Sequence, residues 1–225
     1  MEKHSLAGIG SITAQRAGQT ATHSDTPAST LAVVPVGSEK SVTAIDVIAE
    51  AFLKDPTWSW AFPDPAARIL WWTHCITDAL RYPCTFSTAG FETIAIWIPP
   101  HGTEFSHDGE AKIPGLLKNL AGSRASEVAE LLSRFEQAHP QAEPHYHLSL
   151  FGTRNDHRGR GLGMALLKEN LMRIDAECMP AYLESSNPAN NHRYETVGFV
   201  KVVSFQAPDN GPVISGMWRK ANPAL

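Results

Sequence analysis

His147-Leu148-Ser149-Leu150-Phe151, then Arg158-Gly159-Arg160-Gly161-Leu162-Gly163, then an apolar-striped run to Ile174 decide how this chain folds. The first stretch reads as a strand, and Gly161 to Ile174 as a helix whose Leu162, Leu166, Leu167, Leu171 and Ile174 face inward at helical spacing. Ala181-Tyr182-Leu183-Glu184 follows as another strand, so the unit is strand, glycine-rich turn, helix, strand. Such a turn leaves backbone N–H groups unpaired at the helix N-terminus, where their dipoles favour an anion. Gly159, Gly161 and Gly163 carry no Cβ to hold a ligand away, and Arg158 and Arg160 add positive charge, so the pattern suits a diphosphate. Two other phosphate-binding turns are excluded. A Walker loop needs Gly-Lys-Ser/Thr, which is absent. A dinucleotide-binding turn belongs to the first strand–helix unit and needs a third glycine where Leu166 stands.

Upstream, Leu31 to Val36 is short and β-branched, and Pro35 restricts it to a sheet edge or a strand end. Ser41 to Phe52 sets Ile45, Ile48, Ala49 and Phe52 on one helical stripe, with Ser41 or Thr43 as its cap. Asp55 to Pro65, dense in Pro, Trp and Asp, reads as a loop before a helix from Ala66 to Leu80. Thr85–Thr88 and Thr93–Ile98 read as paired strands joined near Ala89-Gly90, and two helical stretches, about 110–120 and about 124–138, end before Pro140. Downstream, a short helix around Asn190–Thr196 stops at Gly198, and Val200–Phe205 and Val213–Trp218 form a terminal hairpin.

The chain has 225 residues, 43% of them hydrophobic, with no second compositional block. That bounds it to one domain over residues 30–225, after a Ser-, Thr-, Ala- and Gly-rich tail, residues 1–29, expected to be disordered. A net charge of -4 excludes general attraction to nucleic acid or to an anionic membrane. No apolar run reaches the roughly 18 residues of a membrane span, and no basic-then-apolar leader opens the chain. Cys75, Cys84 and Cys178 fit neither a disulfide framework nor a zinc pattern. The expectation is a cytoplasmic protein, monomer or homodimer, without a metal.

Arg158-x-x-Gly161-x-Gly163, with Leu148 to Thr153 ahead of it, resembles the coenzyme A signature of the GNAT superfamily of N-acetyltransferases. Asn187, followed by Tyr194-x-x-x-Gly198-Phe199, resembles that superfamily's second signature. Within the superfamily the chain is similar to puromycin N-acetyltransferase and its relatives from about Ile48 to Lys220. The matching pieces are Ala51-Phe52 with Asp55-Pro56, Ala95-Ile96-Trp97, Pro144 to Leu148, and Met217-Trp218-Arg219-Lys220. The resemblance implies an α/β (α+β) fold of GNAT type: a mixed, mostly antiparallel central sheet, splayed at the cofactor strand and flanked by helices. It also implies acetyl-CoA as co-substrate. Backbone groups of Phe151, Gly152 and Thr153 would hold the pantetheine arm and thioester, Arg158 and Gly159, Arg160, Gly161, Leu162, Gly163 and Met164 would surround the pyrophosphate, and Asn187 and Asn190 would lie at the cofactor. Gly152 is expected to bulge its strand and free backbone groups, close packing being the other use of a strand glycine.

Acyl transfer to an amine needs a neutral amine, a site for the oxyanion and a proton for the departing thiolate. Tyr194 is the candidate proton donor, since a phenol with a pKa near about 10 stays protonated at neutral pH; packing its ring into the core is the alternative. His147 occupies a position resembling that of the base glutamate in the histone acetyltransferase branch, where puromycin acetyltransferase-like proteins often have an aromatic. It is the first candidate base and Glu184 the second. His145 shares the His147 face, which leaves hydrogen-bonded structure or the start of a metal site as other readings. Asp55, Trp58, Trp60 and Phe62, with Asp64, offer either an acidic, aromatic wall for a cationic amine or core tryptophans and turn aspartates. The function expected is acetyl transfer to the primary amine of a small molecule, an antibiotic or aminonucleoside. Transfer would be direct, in a ternary complex, because Cys178 has no adjacent His. A protein N-terminal or lysine acetyltransferase and a non-catalytic acyl-CoA sensor are the alternatives.

Overall fold

The structure is a computed structural model that describes residues 31–222; the tail expected over residues 1–29 lies outside them. Its strands are β1 (Val33–Pro35), β2 (Thr85–Thr88), β3 (Thr93–Ile98), β4 (Tyr146–Thr153), β5 (Ala181–Ser185), β6 (Val200–Gln206) and β7 (Val213–Arg219). They form one sheet in the order β1-β2-β3-β4-β5-β7-β6. Every pairing is antiparallel except β4 with β5. That parallel pair needs a crossover, which the helix α6 (Leu162–Ala176) supplies. The sheet is therefore mixed and mostly antiparallel, as expected, and β1 with Pro35 stands at an edge.

β4 and β5 match only from Tyr146–Leu148 against Ala181–Leu183, although β4 runs on to Thr153. Past that point the two strands part. This is the splay expected of the sheet, and it opens the space described below. Every residue of β3 is buried, so its faces feed two cores. Ile94, Ile96 and Ile98 pack under α1 (Ser41–Ala51), α2 (Pro56–Ala61), α3 (Pro65–Ala79), α4 (His107–Ala121) and α5 (Ala125–Ala138), whereas Ala95 and Trp97 pack against α6. Trp97 donates its indole N–H to Asn170 of α6 at 2.9 Å, so the second core buries no orphan at that ring.

The structure corrects several local readings. The loop expected over Asp55–Pro65 contains α2. Asp55 accepts hydrogen bonds from the N–H groups of Thr57 and Trp58, and Pro56 occupies the first turn; Asp64 and Pro65 repeat the device for α3. The dense Pro and Asp are thus helix starts rather than a loop. Neither Ser41 nor Thr43 caps α1, which continues from a 3-10 turn at Ser38–Lys40 without a side-chain cap. Leu162 is half-buried rather than in the core, while Leu166, Leu167, Leu171 and Ile174 are buried as expected.

The expected bulge at Gly152 also moves. Gly152 pairs in register with Ile94, and the irregularity falls where Ile96 faces Leu150 but Trp97 faces Leu148, leaving Ser149 as the extra residue. Gly152 has the packing role instead: a Cβ there would lie 2.6 Å from Ala51 Cβ of α1. At the far end, Arg219 of β7 forms two 2.7 Å bonds to Asp175 of α6, and Asp175 also accepts from the Asn222 N–H.

Candidate active site

The gap between β4 and β5 opens into a cavity of about 1520 Å³. Pockets for one small ligand measure about 300–1,000 Å³, so this one has room for two molecules together. Its wall includes the glycine-rich turn, the last residues of β4, the segment after β5, and parts of α2, α4 and α5.

Gly159 and Gly161 adopt φ of 78° and 79°, the left-handed region that glycine enters at least cost. Gly161 starts α6 with no side-chain cap. Among the described residues, no backbone N–H from Gly159 to Met164 donates to another protein group; Ala165 is the first to do so, to the Gly161 carbonyl at 2.9 Å. Gly163 serves a different purpose. A Cβ there would meet Thr153 Oγ1 at 2.8 Å and Phe151 Cζ at 3.3 Å, so the bare backbone lets the first turn of α6 close on β4. Arg158 braces this turn against α1, donating to the Ala51 carbonyl at 2.5 Å and to the Thr153 carbonyl at 3.4 Å. Arg160 is exposed and lies off the cavity wall, which Gly159, Gly161, Leu162, Gly163 and Met164 do line.

Phe151, Gly152 and Thr153 follow on the wall, the Gly152 carbonyl already accepting from Thr93 Oγ1 at 2.8 Å. Asn187 and Asn190 also line it. Asn187 uses its side-chain oxygen to accept from the Ala189 N–H at 3.1 Å, the turn-forming role for an Asn before proline. Next comes the short helix α7 (Asn191–Glu195), carrying Tyr194 into the cavity wall with its ring 6.5 Å from that of Phe151. Burial and the nearby Asp55 carboxylate outweigh the opposing Arg193, and the Tyr194 hydroxyl is pushed up to about 12.

Of the expected aromatic wall, Asp55 and Trp58 line the cavity; Trp60 and Phe62 do not. Asp55 caps α2 and accepts from Ser186 Oγ at 2.7 Å, and burial raises its pKa above the usual carboxylate value despite those bonds. Trp58 stands edge-on to Trp72 and stacks on Phe135. Phe62 is buried beside Trp71, and Trp60 lies beneath the Arg124 guanidinium.

His147 and Glu184 come together. His147 Nε2 lies 2.7 Å from Glu184 Oε2, with its Nδ1 3.5 Å from Glu104. The register explains the pairing: His147 sits opposite Tyr182, and Glu184 is two residues further along the same face of β5. Burial disfavours the imidazolium, yet Glu184 and Glu104 outweigh it and hold His147 above the ordinary histidine value. Burial likewise opposes ionisation of Glu184, but His147 and His139 overcome it and bring that carboxyl down to about 2. Two further residues, His139 and Glu104, join this group. His139, where α5 ends, lies 3.6 Å from Glu184 and bonds His145 at 3.0 Å; Glu104 also accepts from Ser149. A His before Pro140 at a helix end was the one visible signal, and Glu104 had none.

No protein-family model matches the chain. Solved structures do. They include a histone acetyltransferase HPA2 and related acetyltransferase from Corynebacterium glutamicum, 22% identical with a TM-score of 0.57, the match covering 87% of this chain and 99% of that one. A polyamine N-acetyltransferase of Drosophila melanogaster, which forms N-acetylagmatine, is 16% identical with a TM-score of 0.61 over 84% and 99% of the two chains. Arylalkylamine N-acetyltransferase 2 from Aedes aegypti is 10% identical with a TM-score of 0.57 over 85% and 99%. At these identities the likeness speaks for architecture: the chain has the fold of a GNAT-type acetyltransferase, with its splayed sheet and flanking helices.

Proposed function

We propose that this chain transfers an acetyl group from acetyl-CoA to the primary amine of a small molecule within a ternary complex. The observation that carries the reading is the run of N–H groups from Gly159 to Met164, without a protein partner among the described residues, opening into the same cavity as Tyr194 and the His147–Glu184 pair. A diphosphate fits that run. Built Cβ atoms at Gly159 and Gly161 meet nothing within 4 Å, so the backbone is open to a ligand there, and the N-terminal dipole of α6 favours a negative group. Leu162, Gly163 and Met164 would hold it, with Phe151, Gly152 and Thr153 along the arm that leads to the splay.

When bound, acetyl-CoA supplies an activated thioester carbonyl. Tyr194 keeps its proton at neutral pH and delivers it from the phenolic oxygen to the leaving sulfur. The His147–Glu184 pair, with Glu104 behind the imidazole, takes the proton lost by the amine, directly or through water. The distance favours relay: along β4, His147 and Phe151 are separated by roughly 13 Å at about 3.3 Å per residue. Two carboxylates about one imidazole also attract an ammonium group, which brings the acceptor to that side of the cavity. The acetyltransferases of similar fold include enzymes of polyamines and arylalkylamines, which supports an amine acceptor. The resemblance to the puromycin acetyltransferase group puts aminonucleoside antibiotics among the acceptors to try.

Acetyl-CoA-dependent thiol release, measured with the purified chain over a panel of polyamines, arylalkylamines, aminonucleosides and peptides, tests the proposal. Turnover on a small amine is expected. Calorimetric binding of coenzyme A without turnover on any acceptor would favour a sensor, and no binding would end the reading.

A further inference from the structure

We infer that His139, His147 and Glu184 form a binding site for a divalent transition-metal ion, zinc by the character of its donors, on the acceptor side of the cavity. The argument begins with protons. His145 Nδ1 lies 2.7 Å from the Glu143 carbonyl, which can only accept, so that nitrogen carries the hydrogen. With His145 neutral, its Nε2 is a lone pair, and the contact of 3.0 Å to His139 Nε2 requires His139 to be the donor. The remaining lone pair of a neutral His139 is then on Nδ1, facing Glu184 Oε1 at 3.6 Å. Two electron-pair donors 3.6 Å apart in a half-buried site need positive charge between them, which either a proton on His139 Nδ1 or a bound metal ion supplies.

His147 completes the set. One donor atom from each of His139, His147 and Glu184 lies within 4.8 Å of the other two. Metal–ligand bonds of about 2.0–2.2 Å in tetrahedral array set donors roughly 3.4 Å apart, so small side-chain shifts close the site. In tetrahedral array, two imidazoles and a carboxylate with one open position is a zinc donor set. All three residues line the cavity, which leaves that position open to it. The outer partners are in place as well. The non-ligating nitrogen of His139 is held by His145 and that of His147 faces the Glu104 carboxylate, the support that fixes ligand orientation in metal sites.

Binding stands independently of the acetyl-transfer reading, whereas its consequence rests on that reading: an ion on His147 and Glu184 occupies the proposed proton acceptor and silences transfer. Calorimetry of the untagged full chain with zinc chloride, and visible absorption on adding cobalt(II), provide readouts separate from activity. One ion per chain and a tetrahedral cobalt spectrum are expected. Affinity should fall at least about 100-fold in His139→Ala and in Glu184→Gln, and about 10–100-fold in His145→Phe, which removes only an outer partner. Circular dichroism checks that each variant folds, and the near-isosteric Glu184→Gln decides the matter should His139→Ala fail to fold. No uptake by the wild-type chain, or uptake unchanged in Glu184→Gln, overturns the site. Zinc binding without loss of turnover leaves the site standing and overturns the proton-acceptor role of the pair.

Discussion

Gly152→Ala adds a methyl group 2.6 Å from Ala51 Cβ and 3.2 Å from Ile48 Cδ1. Carbon atoms rest at about 3.5–4.0 Å, so β4 and α1 must separate by about 1 Å where both border the cavity. Ala51 Cβ cannot rotate away, and overpacking of this kind costs about 1–3 kcal/mol. Replacing glycine also restricts the unfolded chain, which returns about 0.4–1 kcal/mol. A net loss of about 1–2 kcal/mol remains. For a domain of this size each kcal/mol lowers Tm by about 2–4 °C, giving roughly 2–8 °C by thermal denaturation. Ala51→Gly removes the colliding methyl and alone costs up to about 1 kcal/mol at the helix end. Combined with Gly152→Ala it should restore part of the loss, a favourable coupling of about 1 kcal/mol in a double-mutant cycle read by urea unfolding. An unchanged Tm in Gly152→Ala, or strictly additive effects, would refute the packing role and return Gly152 to the ligand-facing role expected from the sequence.

Tyr194→Phe should lower kcat by about 10² or more while calorimetry finds coenzyme A affinity unchanged, because only the proton donor is lost; an unaltered kcat removes Tyr194 from the chemistry. Asp175 is drawn below its ordinary pKa of 3.8, since its bonds to Arg219 and Asn222 overcome the burial that opposes ionisation. A depressed carboxylate contributes stability above its unfolded pKa and loses it as pH falls through the folded value. Asp175→Asn should therefore cost about 3–5 kcal/mol at neutral pH, as breaking a buried pair does, and flatten the acid limb of urea-unfolding stability below about pH 4; an equally steep limb would place that loss elsewhere. Asp55→Asn preserves the cap of α2, so its unfolding free energy should hold within about 0.5 kcal/mol while KM for a cationic amine rises. An unchanged KM would confine Asp55 to its structural duty.

What could be read from the sequence was local or periodic. The strand, turn and helix from His147 to Ile174 state themselves through backbone chemistry: glycines where φ is positive, and leucines at helical spacing. The helix at Pro56–Ala61 is equally local: Asp55-Pro56 is a helix start, and the crowd of Trp and Pro around it resembles a loop only where the capping carboxylate is left out of account. The bulge at Ser149 had no such signal. Nothing about a serine between two leucines says that Leu148 and Leu150, two residues apart, enter different cores. In an unbroken strand they would share a face.

That single extra residue has consequences for the site. It lets His147 face the α5 side while Phe151 still packs toward α6, so one strand presents a titratable group to the acceptor region and a backbone path to the turn. His139 and Glu104 then reach His147 from segments on either side of α4 and α5, brought there by burial of those helices on the first core. Spacing along the chain carries no record of such a meeting. A site whose anion end is written in consecutive glycines, and whose acid–base end is assembled by register and helix docking, is legible at one end only.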